Sequence, residues 1–214
     1  MHPPFASYLP QLATGFTALC TLALLGAEWR RSQPGKWLSK PLASLGFVLT
    51  AWLLGAPEGR YGQAVLVALT LSLVGDVLLI PKSKAIFRVG VLAFLCGHLA
   101  FLVAFFQRPV NLRVAAAVLG VAGGLAFIVG RWLLQRVEGG MRGPVIAYIA
   151  VISTMLAAAA GTRVPLIAVG ALCFYLSDLS VARDRFVAAG FVNRAWGLPL
   201  YYGAQLLLAW SVRV

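Results

Sequence analysis

The chain has 214 residues, of which 61% are hydrophobic and only 11% are charged, whereas about 25% of residues are charged in an average soluble domain. Apolar stretches recur from end to end with short connectors. This composition excludes a soluble domain with one anchor, and it predicts a single all-α, polytopic membrane domain over residues 1–214. The net charge of +12 is spread over short loops. We therefore expect the lipid bilayer, and no nucleic acid, as the charged partner.

Eight stretches are long and apolar enough to predict transmembrane helices. In chain order their approximate bounds are 9–27, 42–56, 63–80, 89–106, 114–134, 144–160, 165–182 and 195–212. The second is the shortest, because Lys36 and Lys40 are assigned to the basic loop that precedes it. Eight helices form a helical bundle whose two termini lie on the same side of the membrane.

The basic residues predict the orientation of this bundle. Thirteen of the 18 Lys and Arg residues lie in or beside alternate connectors, and five lie on the opposite side. Because Lys and Arg concentrate in cytoplasmic loops, the first set is predicted to be cytoplasmic and both termini to lie outside. In a bacterium the membrane would be the cell inner membrane.

Two acids, Asp76 and Asp178, interrupt the third and seventh apolar stretches. A charged side chain inside a membrane helix costs roughly 2.5–3.5 kcal/mol on insertion scales, so such residues are functional candidates. Each lies about five residues, or roughly 7 Å, from the cytoplasmic end of its helix. Their separation of 102 residues is close to half the chain. It suggests a bundle of two four-helix halves with both acids in one cavity.

Other polar residues lie on the faces expected to surround that cavity. In the eighth helix one stripe holds Asn193, Gly197, Tyr201 and Gln205. In the fourth a similar stripe holds Gly90, Phe94, His98, Phe101 and Phe105, with His98 near mid-membrane. Ser72 shares a face with Asp76, and Tyr175 is three residues before Asp178. The alternative is that these groups only hydrogen-bond between helices, at about 0.6 kcal/mol each. For the two acids, the alternative is an ion pair with a cytoplasmic arginine.

The motifs exclude several kinds of chemistry. The sequence has no GxSxG nucleophile elbow and no HExxH zinc helix. A single intramembrane histidine excludes a tris-histidine zinc site, although a metal held by Asp76, Asp178 and His98 stays open. We expect no metal and no cofactor. Two carboxyl groups suffice for acid and base hydrolysis, because neighbouring buried acids titrate at separate pH values and one can be protonated while the other is ionised.

Two motifs also carry a resemblance. The first is Leu-Val-Gly-Asp76 followed by Phe87-x-x-Gly90 and His98, and the second is Tyr-Leu-Ser-Asp178 followed by Leu-Pro-Leu-Tyr201-Tyr-x-Ala-Gln205. Over nearly its whole length the chain resembles the YhhN-like lysoplasmalogenase family. This resemblance implies a hydrolase of lipid metabolism that cleaves the vinyl-ether bond of a lysoplasmalogen, a 1-alkenyl-glycerophosphoethanolamine or -choline. The products are a fatty aldehyde and a glycerophospho-alcohol.

In this hypothesis Asp76 and Asp178 share the acid and base roles, in an order that the residues leave open. His98, Tyr201, Gln205, Asn193, Ser72 and Tyr175 are candidates to position water or substrate. The phosphate head group is expected at Lys82, Arg183, Arg185 or Arg194. The positions of these lysine and arginine residues are also explained by membrane topology alone.

Two other functions are also compatible with two intramembrane acids. A proton-coupled transporter of a small or lipid-like solute also needs intramembrane acids and a repeat. An intramembrane aspartyl protease also uses two membrane acids, but the order of the motifs and the absence of GxGD argue against it. Solute flux that Asp178→Asn abolishes, in a protein without lipid hydrolysis, would favour the transporter.

Overall fold

The structure is a computed structural model that describes residues 8–137 and 139–214. Within these residues the chain forms eight α-helices. They are α1 (Leu9–Trp29), α2 (Gln33–Leu53), α3 (Arg60–Leu78), α4 (Lys84–Phe106), α5 (Leu112–Leu134), α6 (Gly139–Gly161), α7 (Pro165–Phe186) and α8 (Phe191–Trp210). Single 3-10 turns follow α2 at Ala56–Glu58 and α8 at Ser211–Arg213. The predicted outward position of the N-terminus falls on residues 1–7, outside the described residues.

Six of the eight helices are long and apolar enough to cross a membrane, namely α1, α3, α4, α5, α6 and α7. Their outer faces carry exposed large apolar side chains, including Leu12, Leu19, Val121, Phe127 and Ile128. Apolar side chains on the outside of a helical bundle are those that contact lipid. The chain is therefore a helical, multi-pass membrane protein. The two other helices, α2 and α8, carry more polar side chains, many of which are buried.

Successive helices are joined by short connectors and pack as pairs: α1 with α2, α3 with α4, α5 with α6, and α7 with α8. Helix α8 also packs on α1, α2 and α3, and α6 packs on α4 and α7. These contacts close a ring of helices, with α5 placed against the outside of α6. The connectors at 30–32, 79–83, 135–137 and 187–190 lie at one end of the bundle, which we call the basic side.

The predicted start of the second helix was wrong. Helix α2 begins at Gln33, about nine residues before the predicted span, so Lys36 and Lys40 belong to a helix and not to a loop. Ser32 caps it by accepting a hydrogen bond from the Gly35 N–H at 3.2 Å. The two lysines are tolerated in the helix because Glu28 and Asp76 neutralise them.

Glycine allows α7 and α8 to pack closely beside the cavity. A Cβ atom added to Gly197 of α8 would lie 1.8 Å from the Ser180 Oγ of α7. Small residues let helix backbones approach in this way within a membrane. The predicted stripes are confirmed as buried faces: Asn193, Gly197, Tyr201 and Gln205 in α8, and Gly90, Phe94, His98, Phe101 and Phe105 in α4.

Candidate active site

A cavity of about 720 Å³ opens between the helices on the basic side. It extends from Lys82 and Ser83, at the start of α4, to Tyr201 and Ile152 inside the bundle. Its walls are mostly apolar, and Asp76 and Asp178 both line it. The volume lies within the roughly 300–1,000 Å³ that is typical of small-molecule sites. The two acids are thus brought to one cavity by α3 and α7.

Asp76 is buried in the last turn of α3, with 2% of its surface exposed. The Lys40 ammonium of α2 lies 3.1 Å from its Oδ1. The Ser44 hydroxyl donates to Oδ2 at 2.6 Å and the Tyr201 hydroxyl at 2.7 Å. Lys40 also donates to the backbone carbonyl of Asp76 at 3.0 Å, which serves one of the unpaired carbonyls at the end of α3. One ammonium and two hydroxyl donors thus surround the Asp76 carboxyl group.

Asp178 has different partners. Its Oδ2 accepts a hydrogen bond from the Tyr148 hydroxyl of α6 at 2.9 Å and lies 3.0 Å from His98 Nε2 of α4. The buried His98 ring places Nδ1 3.3 Å from Met155 Sδ. Nε2 also lies 3.0 Å from the Tyr148 hydroxyl, so an imidazole, a phenol and a carboxyl group meet at this point. At 3.0 Å, one hydrogen between Nε2 and Oδ2 would bond the imidazole to the Asp178 carboxyl group.

Aromatic rings occupy the space between the two acids. The Phe174 ring centroid lies 4.4 Å from that of His98 and 5.4 Å from that of Tyr201. Phe94 lies edge-on to both Phe174 and Tyr201. Within the described residues no hydrogen bond joins Asp76 to Asp178. The acids therefore lie on separate hydrogen-bond networks that meet at one aromatic wall.

The remaining candidates for positioning fall into two groups. His98 and Tyr201 contact the acids directly, and Tyr175 lines the cavity. Ser72 instead donates to the Ala68 carbonyl of its own helix at 2.9 Å. Gln205 is fully buried, and its amide has no hydrogen-bond partner among the described residues.

Asn193 lines the cavity and also closes the connector between α7 and α8. Its Nδ2 donates to the Ala188 carbonyl at 2.6 Å and to Asp184 at 3.3 Å. The Arg183 guanidinium donates to its Oδ1. These contacts hold the connector on the basic side, whether or not Asn193 also contacts a substrate.

The four basic candidates are also placed differently. Lys82 lines the cavity, and the Arg185 guanidinium lies 4.1 Å from the centroid of the Phe87 ring. Arg194 makes ion pairs with Glu28 and Asp184, so much of its charge is already neutralised. Arg183, bonded to Asn193, is absent from the cavity wall that the structure describes.

Sequence reasoning missed Lys40, Ser44 and Tyr148. Lys40 and Ser44 are four residues apart and share one face of α2, but this pattern has meaning only once α2 is known to begin before Lys40. Tyr148 is a polar group inside an apolar helix, which is itself a signal. A metal held by Asp76, Asp178 and His98 is not supported. No group of three His, Cys, Asp or Glu side chains suited to a metal occurs in the part of the chain that the structure describes.

Comparison with known proteins identifies the family of this chain. The sequence model of the YhhN family matches residues 35–212. Lysoplasmalogenase TMEM86A of Bos taurus is 31% identical over 218 residues, covering 94% of this chain and 88% of that protein. Lysoplasmalogenase TMEM86B of Rattus norvegicus is 33% identical over 206 residues, covering 92% and 81%. The lysoplasmalogenase of Mycobacterium tuberculosis (strain CDC 1551 / Oshkosh) is 34% identical over 177 residues, covering 78% and 66%. No solved structure matches this chain.

Proposed function

The chain belongs to the YhhN family, and from this premise we propose that it is a lysoplasmalogenase, an ether-bond hydrolase of the membrane. Its substrates would be 1-alkenyl-glycerophosphoethanolamine and -choline, cleaved to a fatty aldehyde and a glycerophospho-alcohol. The names of its relatives support this activity. The observation that carries it is that Asp76 and Asp178 line one largely apolar cavity. That cavity offers acid and base groups beside room for an alkenyl chain.

Vinyl-ether hydrolysis needs few catalytic groups. An acid protonates the β-carbon of the double bond, and the α-carbon becomes an oxocarbenium-like cation stabilised by its oxygen. Water then adds to that carbon and loses a proton to a base, giving a hemiacetal. The hemiacetal collapses to aldehyde and alcohol, so one water is consumed and no covalent enzyme intermediate forms. Paired carboxyl groups serve a related cation in glycosidases.

The contacts of the two acids support a division of roles. Asp178, which lies 3.0 Å from His98 Nε2, is proposed as the acid, with Tyr148 orienting it. Asp76, with Lys40 and two hydroxyls around it, is proposed to stay ionised and to stabilise the cation. After proton transfer the Asp178 carboxylate can take a proton from the attacking water, which restores the starting state.

The substrate is proposed to lie with its alkenyl chain among the apolar walls and its phosphate at the basic side. Tyr175 and Tyr201 line the wall where the chain and the ether oxygen would meet. Lys82, Arg183, Arg185 and Arg194 stay the head-group candidates from the sequence. Gln205, Asn193 and Ser72 would act through their neighbours.

We also propose that all eight helices cross the membrane, in two four-helix halves, with both termini outside. If helices four apart are equated, the packing of α2 on α8 corresponds to that of α6 on α4. The acids then have equivalent neighbours: α2 and α8 contact Asp76, and α6 and α4 contact Asp178. This correspondence supports a duplicated unit.

The test is hydrolysis by purified protein in detergent. It should release aldehyde from a lysoplasmalogen and no fatty acid from an ester lysophospholipid of the same head group. Asp76→Asn and Asp178→Asn should each reduce the rate at least about 100-fold, because each removes a group used in the transition state. Glu58→Gln, an exposed acid outside the cavity, is the matched control and should keep the parent rate. Strong hydrolysis by either Asn variant, at unchanged thermal stability, would refute the acid pair.

The correspondence between the halves also favours a second candidate, a proton-coupled transporter. Transporters place coupling acids at the interface of such repeats. Proton or solute flux into liposomes that is lost in Asp178→Asn, from protein without vinyl-ether hydrolysis, would favour it. Aldehyde release without flux would exclude it.

A further inference from the structure

A second cavity of about 310 Å³ adjoins the first on the basic side. Its charged wall is formed by Lys84, Arg88, Arg136 and Arg185. Both cavities are lined by Phe87, Met141, Arg185 and Phe186, so Arg185 faces the two of them. No acidic side chain lines this second cavity among the described residues. It is therefore a cationic compartment at the mouth of an apolar one.

Three of these cations, Arg88, Arg136 and Arg185, differ from the paired cations on the basic side. Lys36, Lys40 and Arg194 are paired with Glu28, Asp76 and Asp184. Among residues 8–137 and 139–214, Arg88, Arg136 and Arg185 have no carboxylate within ion-pair distance, and all three are exposed. Their charge is thus available to a ligand that brings its own negative charge.

Two of the three guanidinium groups are held by aromatic rings. Arg185 lies over Phe87 at 4.1 Å and Arg136 over Trp132 at 4.4 Å, both measured to the ring centroid. Stacking holds each planar group, and apart from the bond that Arg136 Nη1 donates to the Trp132 carbonyl at 3.3 Å the N–H edges stay available. An Arg N–H edge matches the oxygens of phosphate by paired hydrogen bonds. The compartment thus favours a phosphate over a halide ion.

The spacing along α7 relates this compartment to the proposed acid. Arg185 follows Asp178 by seven residues, which is two turns and about 10 Å along one helix face. In a lysophospholipid one glycerol unit separates the sn-1 ether from the phosphate, a separation that the Arg side chain can bridge. We propose that Arg88, Arg136 and Arg185 bind the phosphodiester of the lysophospholipid, with Arg185 joining this site to the cavity of the acids. This inference rests on the proposed function for the identity of the lipid.

Kinetics on paired substrates tests the site. The substrates are a lysoplasmalogen and the matching 1-alkenylglycerol, which has the vinyl ether but no phosphate. Arg185→Gln and Arg136→Gln should each raise KM for the lysoplasmalogen about tenfold or more, the effect of a lost charge-assisted bond. They should leave kcat within about threefold and 1-alkenylglycerol hydrolysis unchanged. Arg113→Gln, at an exposed arginine that lines neither cavity, is the matched control.

A binding measurement keeps the two proposals separate. An uncleavable 1-alkyl-glycerophosphoethanolamine should bind the parent protein more tightly than 1-alkylglycerol, and Arg185→Gln should remove the difference even if the chain hydrolyses nothing. Parent protein that cleaves neither alkenyl lipid would refute the proposed function alone. Equal losses on both substrates, or equal binding of both alkyl lipids, would overturn the phosphate site alone. Displacement by inorganic phosphate, with lipid affinity unchanged in the variant, would assign the compartment to a free anion and also overturn it.

Discussion

The ion pair between Lys40 and Asp76 places a counter-charge beside one candidate catalytic residue. Both partners are almost completely buried, with 13% and 3% of their side chains exposed. A buried carboxylate without a counter-charge is strongly unfavourable, whereas a paired one is tolerated. The cation beside Asp76 is a lysine from α2 and not the cytoplasmic arginine of the alternative interpretation, and this lysine also bonds the end of α3. The pair therefore has a structural role besides the electrostatic one that we propose.

Removing the lysine charge tests that dual role. Lys40→Met should lower the free energy of unfolding by about 3–5 kcal/mol, because it leaves a buried carboxylate uncompensated. Asp76→Asn in the same protein should restore much of this loss, since neither charge then remains. Thermal unfolding in detergent would measure both effects. Lys36→Met is the control one turn earlier. Its partner Glu28 keeps Arg194, so the loss should be smaller. Equal losses in the two single variants would contradict the argument.

At the scale of the helices, α8 has the largest part in shaping the site. It supplies Tyr201 to Asp76, packs on four other helices, and holds the α7 connector through Asn193. Its contact with α7 depends on Gly197, which leaves room for Ser180. Tyr201, which donates to Asp76, and Gly197, which contacts Ser180, lie one turn apart on α8. A shift of α8 at Gly197 would therefore also displace the Tyr201 hydroxyl from Asp76.

A methyl group at this contact should separate the helices. Gly197→Ala should destabilise the protein by about 1–3 kcal/mol, the usual cost of overpacking, and reduce hydrolysis. Adding Ser180→Gly should recover stability, because the clash is with the Ser180 side chain. Gly203→Ala on the same helix is the control, since no atom lies within 4 Å of the added Cβ. A fully stable Gly197→Ala protein in thermal unfolding would show that the two helices do not need this contact.

At the scale of the whole molecule, we predict the orientation of the bundle in the membrane. The positive-inside rule places the basic side in the cytoplasm, which would present the cavity to lipids of that leaflet. The excess of Lys and Arg is spread over four connectors, so the predicted orientation does not depend on any single arginine.

Accessibility of introduced cysteines tests this orientation. With the three native cysteines replaced by alanine, Ala189→Cys in the basic connector should resist an impermeant thiol reagent on intact cells. Gly59→Cys, at the opposite end, should react. Both positions are exposed, so burial does not explain a difference. Inside-out vesicles should reverse the pattern. Labelling of Ala189→Cys from outside would invert the proposed topology.

Local patterns in the sequence were sufficient for the helical membrane fold, the family and the buried faces of α4 and α8, all of which are confirmed. These properties depend on apolar length and on a repeat near four residues, and both are readable within one segment. The early start of α2 was not readable. Lysine is rare inside a membrane helix, so Lys36 and Lys40 argued against a helix there until their acidic partners were known.

Only the tertiary structure could decide those partners. The pairs Lys40 with Asp76, and His98 and Tyr148 with Asp178, join residues 30 to 80 positions apart on different helices. Periodicity tells which face of a helix is polar, but the group opposite it depends on how all eight helices pack together. That is why the sequence alone identified two acids, while the donors around each of them, and hence the chemistry that we assign to each, came from the folded bundle.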